Sequence, residues 1–88
     1  MAIEEVIYRA ILLRQTIEIE YCTRRGNVYA FHINNITYSR CYGAMYIEAF
    51  CLEVEEDRTF KISRIMMVNG HSFSRIFWNQ IGENFNRI

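Results

Sequence analysis

The feature that most constrains this chain is the change of hydrophobic period at Gln15. Before it, Ile3, Val6, Ile7, Ala10 and Ile11 recur at the i, i+3, i+4 spacing of one helical face, with Glu4 and Glu5 in the first turn, where the helix dipole favours acid. After it the period is two. Ile17, Ile19 and Tyr21 alternate with Glu18, Glu20 and Cys22, as in a half-buried strand. The pattern predicts a helix over 2–14 followed by strands at Ile17–Cys22, Val28–Tyr38, Ala44–Val54 and Arg58–Met67. Arg24-Arg25-Gly26-Asn27, Gly43 and the acidic run Glu55-Glu56-Asp57 supply the reversals, and Asn69-Gly70 ends the series. Beyond it Phe73, Ile76, Phe77, Ile81 and Phe85 return to helical spacing behind Ser72, which predicts a short helix over 72–86. Strands joined by tight turns, with too few residues for helical crossovers, favour a small antiparallel barrel or strongly curved sheet of four to five strands, mainly β in an α+β arrangement.

With 88 residues, the chain has material for one core and one domain, which excludes a two-lobed enzyme with a cleft between lobes. The formal net charge is zero, but the zero is a cancellation. Residues 1–57 hold five arginines against nine carboxylates, whereas Arg58, Lys61, Arg64, Arg75 and Arg87 face only Glu83 in the remainder. Nine of the ten basic residues are arginine, the forked donor suited to carboxylate and phosphate. An odd number of cysteines, Cys22, Cys41 and Cys51, behind an N-terminus with acid where a secretory segment needs base, implies a reduced, cytoplasmic setting. No apolar run is long enough to span a membrane.

Strand parity sorts the candidate residues. Met45, Ile47, Ala49 and Cys51 share one uncharged face, the expected core, and Tyr46, Glu48, Phe50 and Leu52 share the other. If Val54 pairs with Asp57, Phe60 lies opposite Cys51 and Ile62 opposite Ala49; a one-residue slip sets them against Leu52 and Phe50. In the first register Arg58 and Arg64 sit on core parity at opposite rims, roughly 20 Å apart at about 3.3 Å per residue. They then touch two phosphates of an extended strand, or one guards a pocket mouth, or both snorkel and pair with Glu53 or Glu48. Tyr46, Phe50 and Leu52 form either a partner surface or a face covered by a terminal helix. Tyrosine near arginine is a composition of single-stranded nucleic-acid sites, and six tyrosines are present.

The run Arg58-Thr59-Phe60-Lys61-Ile62-Ser63-Arg64-Ile65, the segment Met45-Tyr46-Ile47-Glu48-Ala49-Phe50, and a helix leading into Ile17-Glu18-Ile19-Glu20-Tyr21 together resemble the WYL domain family of bacterial regulators. There the third strand carries a Trp-Tyr-Leu triplet, and a strand of the form Arg-x-Phe-(basic)-(apolar)-x-Arg-Ile follows it. The resemblance spans about Ile3 to Val68. Met45 and Ile47 replace the family's tryptophan and leucine, and Asn34-Asn35 stands near where a proline is common. The resemblance implies an SH3-like or Sm-like barrel acting as a ligand sensor, with nucleic acids or nucleotide signals as ligands. Carried residue by residue, it assigns Tyr21, Tyr46, Arg58 and Arg64 to ligand binding. The family's usual helix-turn-helix reader has no residues here, so the expectation is a free-standing accessory protein linked to transcription regulation, phage defence or CRISPR systems rather than a repressor.

The catalytic inventory is thin. Neither His32 nor His71 has a carboxylate or cysteine at dyad spacing, so no enzyme is expected. Cys22, His32, Cys41 and Cys51 lack any paired ligand element, so no metal or other cofactor is expected. Two hypotheses follow. In one, Arg58, Lys61, Arg64, Tyr46 and Tyr21 bind RNA, single-stranded DNA or an oligonucleotide through the basic last third. In the other, the Tyr46, Phe50 and Leu52 face makes a homodimer or docks on a larger protein, aided by the opposed charges of the two segments.

Overall fold

The computed structural model of the chain describes residues 2–72. Helix α1 spans Ile3–Leu12 and is followed by strands β1 (Ile17–Cys22), β2 (Val28–Ser39), β3 (Gly43–Cys51) and β4 (Glu56–Lys61), a 3₁₀ turn at Ile62–Arg64, and β5 (Ile65–Val68). The strands form one antiparallel sheet in the order β4-β3-β2-β1-β5. The helix expected over 72–86 lies, but for Ser72, outside the described residues.

Helix α1 buries Ile3, Ile7 and Ala10, with Val6 and Ile11 packed at the edge of the same core. It stops in a Schellman arrangement: the Gln15 amide donates to the Ala10 carbonyl at 3.0 Å and the Arg14 amide to that of Ile11 at 3.3 Å. Arg14 takes the left-handed φ of 52° this geometry requires.

The core is the inward parity of the sheet closed by the helix. Ile17 and Ile19 of β1 meet Ile33 and Phe31 of β2 as cross-strand partners, and Ile47, Ala49 and Cys51 of β3 are buried as their parity predicts. In β2 the alternation is broken by a bulge. Asn34 pairs with Phe50 and Thr37 with Glu48, so Asn35 and Ile36 oppose Ala49 alone, and Asn35 sits at φ 50°. The extra residue flips the parity, which lets Ile33 and Ile36, three apart, both face inward.

Four expectations need correction. The closed barrel is replaced by an open sheet whose edges are β4 and β5. The strand expected over Arg58–Met67 is two strands on opposite edges, because the 3₁₀ turn carries the chain from one to the other. The spacing of Ile62, Ile65 and Val68, all buried, is three rather than two, and only a turn between strands lets all of them point inward.

The β3–β4 register also differs, with Phe60 opposite Ile47 and Arg58 opposite Ala49, four residues from the expected pairing. Strand β3 ends at Cys51 because the next residues attach to β2 instead. The Leu52 amide donates to the His32 carbonyl at 2.9 Å and the Glu53 carboxylate accepts the His32 amide at 2.7 Å. An even shift preserves parity, so Phe60 still reaches the core. Met45 has core parity but is 51% exposed, since it precedes the last β3–β4 pair, Tyr46 with Lys61, and no β4 residue faces it.

Glycine at position 14 would adopt the left-handed conformation without a Cβ penalty. Arg14→Gly is expected to raise unfolding free energy by about 0.5–1 kcal/mol in denaturant titrations.

Candidate functional site

The site is assembled at one end of the sheet from the β1–β2 turn, the end of β1, the start of β3 and the β4–3₁₀ junction. The turn is a local product of its sequence. Gly26 at φ 87° closes it, its amide donates to the Thr23 carbonyl at 2.9 Å, and the Thr23 hydroxyl accepts from the Asn27 amide at 3.2 Å. Arg24 and Arg25 occupy the exposed apex.

Tyr21, the last inward-parity residue of β1, is half-buried and packs edge-on against Phe60 with centroids 5.1 Å apart. Phe60 in turn meets Phe31 at 5.8 Å, and Phe31 meets Tyr29 at 6.1 Å. The Tyr21 hydroxyl accepts the Lys61 amide at 2.9 Å, fixing the point where the chain leaves β4. The Lys61 ammonium then lies over the Tyr46 ring, 5.8 Å from its centroid, and Tyr46 contacts Tyr42 at 5.5 Å.

Two adjoining cavities result. One, of about 260 Å³, is lined by Tyr21, Arg24, Tyr42, Tyr46, Thr59, Lys61 and Arg64. The other, of about 470 Å³, is lined by Tyr21, Thr23, Arg24, Arg25, Asn27, Tyr29 and Arg64. Tyr21, Arg24 and Arg64 belong to both. Among the described residues the combined lining holds four cations and four tyrosines and no carboxylate. Among the described residues, the ion pairs involve His32 and Arg58 and leave Arg24, Arg25, Lys61 and Arg64 without a carboxylate partner.

Of the residues singled out by sequence, Tyr21, Tyr46, Lys61 and Arg64 come together in this cleft. Arg58 does not line it. It is paired instead with Glu56, at 2.6 Å, on the exposed part of β4. The pairing is of the kind expected of a snorkelling arginine, but the partner is neither Glu53 nor Glu48. Phe50 is half-buried and Leu52 is 42% exposed beyond the end of β3, so Tyr46, Phe50 and Leu52 are not one open face.

The sequence reading missed Arg24, Arg25, Tyr29 and Tyr42. Consecutive arginines at a glycine-closed turn, with Tyr21 and Tyr29 flanking it as cross-strand partners, were the available signal. They lie in the segment whose overall charge is acidic, and that balance concealed them.

His32 has a separate role on the outer face. Its ring Nδ1 lies 2.6 Å from the Glu53 carboxylate and Nε2 3.4 Å from that of Glu18, its cross-strand partner. Glu18 continues the lattice to the β5 end, its amide donating to the Asn69 side chain and its carbonyl accepting the Asn69 amide. The hydrogen bond to Glu53 raises the His32 pKa above its ordinary 6.5, and the same bond lowers that of Glu53 below 4.5.

A family model for the WYL domain matches residues 2–69, and the chain belongs to that family. A comparison with curated proteins finds no match. Among solved structures, the fold is similar to part of the proteasome accessory factor B/C of Arthrobacter aurescens, with a TM-score of 0.58 and 21% identity. The similarity covers 80% of this chain and 11% of that one, so this chain corresponds to a small portion of the larger protein. Among the described residues no helix is long and apolar enough to cross a membrane.

Two outcomes follow from this geometry. Tyr21→Phe keeps the ring contact with Phe60 but removes the acceptor of the Lys61 amide, and is expected to cost about 1 kcal/mol in denaturant titration. The His32 contribution to stability is full below pH 6.5 and is lost as pH rises through the raised folded value. The Glu53 contribution is full above pH 4.5 and is lost as pH falls through the lowered one. The Tm gap between the native protein and Glu53→Gln should therefore be widest between pH 4.5 and 6.5 and should narrow on both sides.

Proposed function

We propose that this WYL domain is a regulatory or accessory module that senses an anionic ligand of the nucleic-acid class, a single strand or a nucleotide-type signal, in the cleft around Tyr21, Tyr46, Lys61 and Arg64. One observation carries the reading: four cations without carboxylate partners among the described residues, interleaved with four tyrosines. Cations left without partners at a common surface repel one another and favour an anion between them. Arginine offers two parallel donors to a phosphate, and a tyrosine ring offers a face to any base. The reaction chemistry an enzyme would need is not what these residues supply. Among them is no carboxylate or imidazole to act as a general base at neutral pH.

A docking role for the Tyr46, Phe50 and Leu52 face has less to support it, because Tyr46 and Phe50 are half-buried and Tyr46 already belongs to the cleft.

Fluorescence anisotropy with short labelled RNA and single-stranded DNA tests the proposal. Binding should weaken with salt, and Arg24→Ala or Arg64→Ala should weaken it further and flatten the slope of log K against log salt by about 0.7 for each phosphate that is no longer neutralised. Arg58→Ala should leave affinity unchanged. Salt-insensitive binding, or an equal drop in affinity in all three variants, would refute the cleft as the site.

A further inference from the structure

The length of strand that the cleft accommodates follows from its division into two parts. Building on the sensing role proposed above, we infer that the cleft is a two-nucleotide site, in which Arg24 and Arg64 seat one phosphodiester and the bases on either side of it stack on Tyr42 and Tyr29.

The two cavities are separate volumes of about 260 and 470 Å³ that meet at a common wall containing Arg24 and Arg64. Pockets for single small molecules begin at about 300 Å³, so the larger is of one-ligand size and the smaller, just under that bound, has room for no more than one base-sized group. A phosphate at the common wall is the one position that both arginines serve from either cavity. Beyond the wall each cavity has one further cation, Lys61 in the smaller and Arg25 in the larger, for a flanking phosphate.

Aromatic surface is distributed in the same way. Tyr42 lines only the smaller cavity and is 66% exposed; Tyr29 lines only the larger and is 49% exposed. Both leave much ring area in water, and each is the most exposed aromatic of its cavity. Tyr21, by contrast, is held by Phe60 and the Lys61 amide and serves as the fixed floor between them. Bases in a duplex have no free face for such platforms, so the occupant is single-stranded and its shortest effective form is a dinucleotide.

Isothermal titration of the full chain with mono-, di- and tetranucleotides of deoxythymidylate, each 5′-phosphorylated, tests the inference. The dinucleotide should bind at least about tenfold more tightly than the mononucleotide, and the tetranucleotide should add less than that. Tyr29→Ala and Tyr42→Ala should each weaken dinucleotide binding about tenfold, while Tyr29→Phe and Tyr42→Phe retain its affinity. Circular dichroism of each variant establishes that it is folded. Equal affinity for mono- and dinucleotide, or insensitivity to both alanine variants, overturns the two-nucleotide site while leaving the sensing role intact if the tetranucleotide still binds. Absence of binding along the whole series overturns both.

Discussion

The hydrogen bond from the Lys61 amide to the Tyr21 hydroxyl is the interaction on which the arrangement of this molecule turns. The sheet is open, so β4 and β5 have no ladder to hold them in relation to each other. A phenol projecting from β1, which lies beside β5, reaches the last residue of β4 and sets where the 3₁₀ turn begins. That one bond ties together the aromatic core, through Phe60, and the basic cleft, through Lys61 and the turn residue Arg64. A closed barrel would distribute the same task over a row of backbone bonds. Here a side chain that also lines the cleft performs it.

How far the sequence could be read depended on whether the relevant periodicity was local. The faces of β1 and β3 follow from alternation within each strand, and Ile17, Ile19, Ile47, Ala49 and Cys51 are buried as that alternation requires. Register is not local. It was set by where β3 stops, and that depends on His32, far away in sequence, capturing Glu53. The split of the last strand was legible in principle, because Ile62, Ile65 and Val68 repeat at three, but the apparent alternation of Phe60 and Ile62 masked it.

The site was half legible for a related reason. The family resemblance concentrates on the segment from Arg58 onward, and it brought Tyr21, Tyr46, Lys61 and Arg64 forward together. It also brought Arg58, which points to a neighbouring glutamate instead. A hairpin turn contributes its apex to whatever lies at its end of the sheet, and a tally of charge along the chain cannot register that. Arg24 and Arg25 thus joined the basic cleft from the acidic half of the sequence.

The absence of carboxylates from the cleft lining, among the described residues, has a thermodynamic consequence for the domain itself. Four cations held near one another with no counter-charge among the described residues raise the energy of the folded state, and the unfolded chain, with its charges dispersed, escapes most of that cost. An anion held among them removes the repulsion as well as adding its own contacts. On the proposed reading such an anion would bind the native state alone, and occupancy and folding stability would be linked quantities. The surface proposed for recognition then coincides with the place where like charge is concentrated.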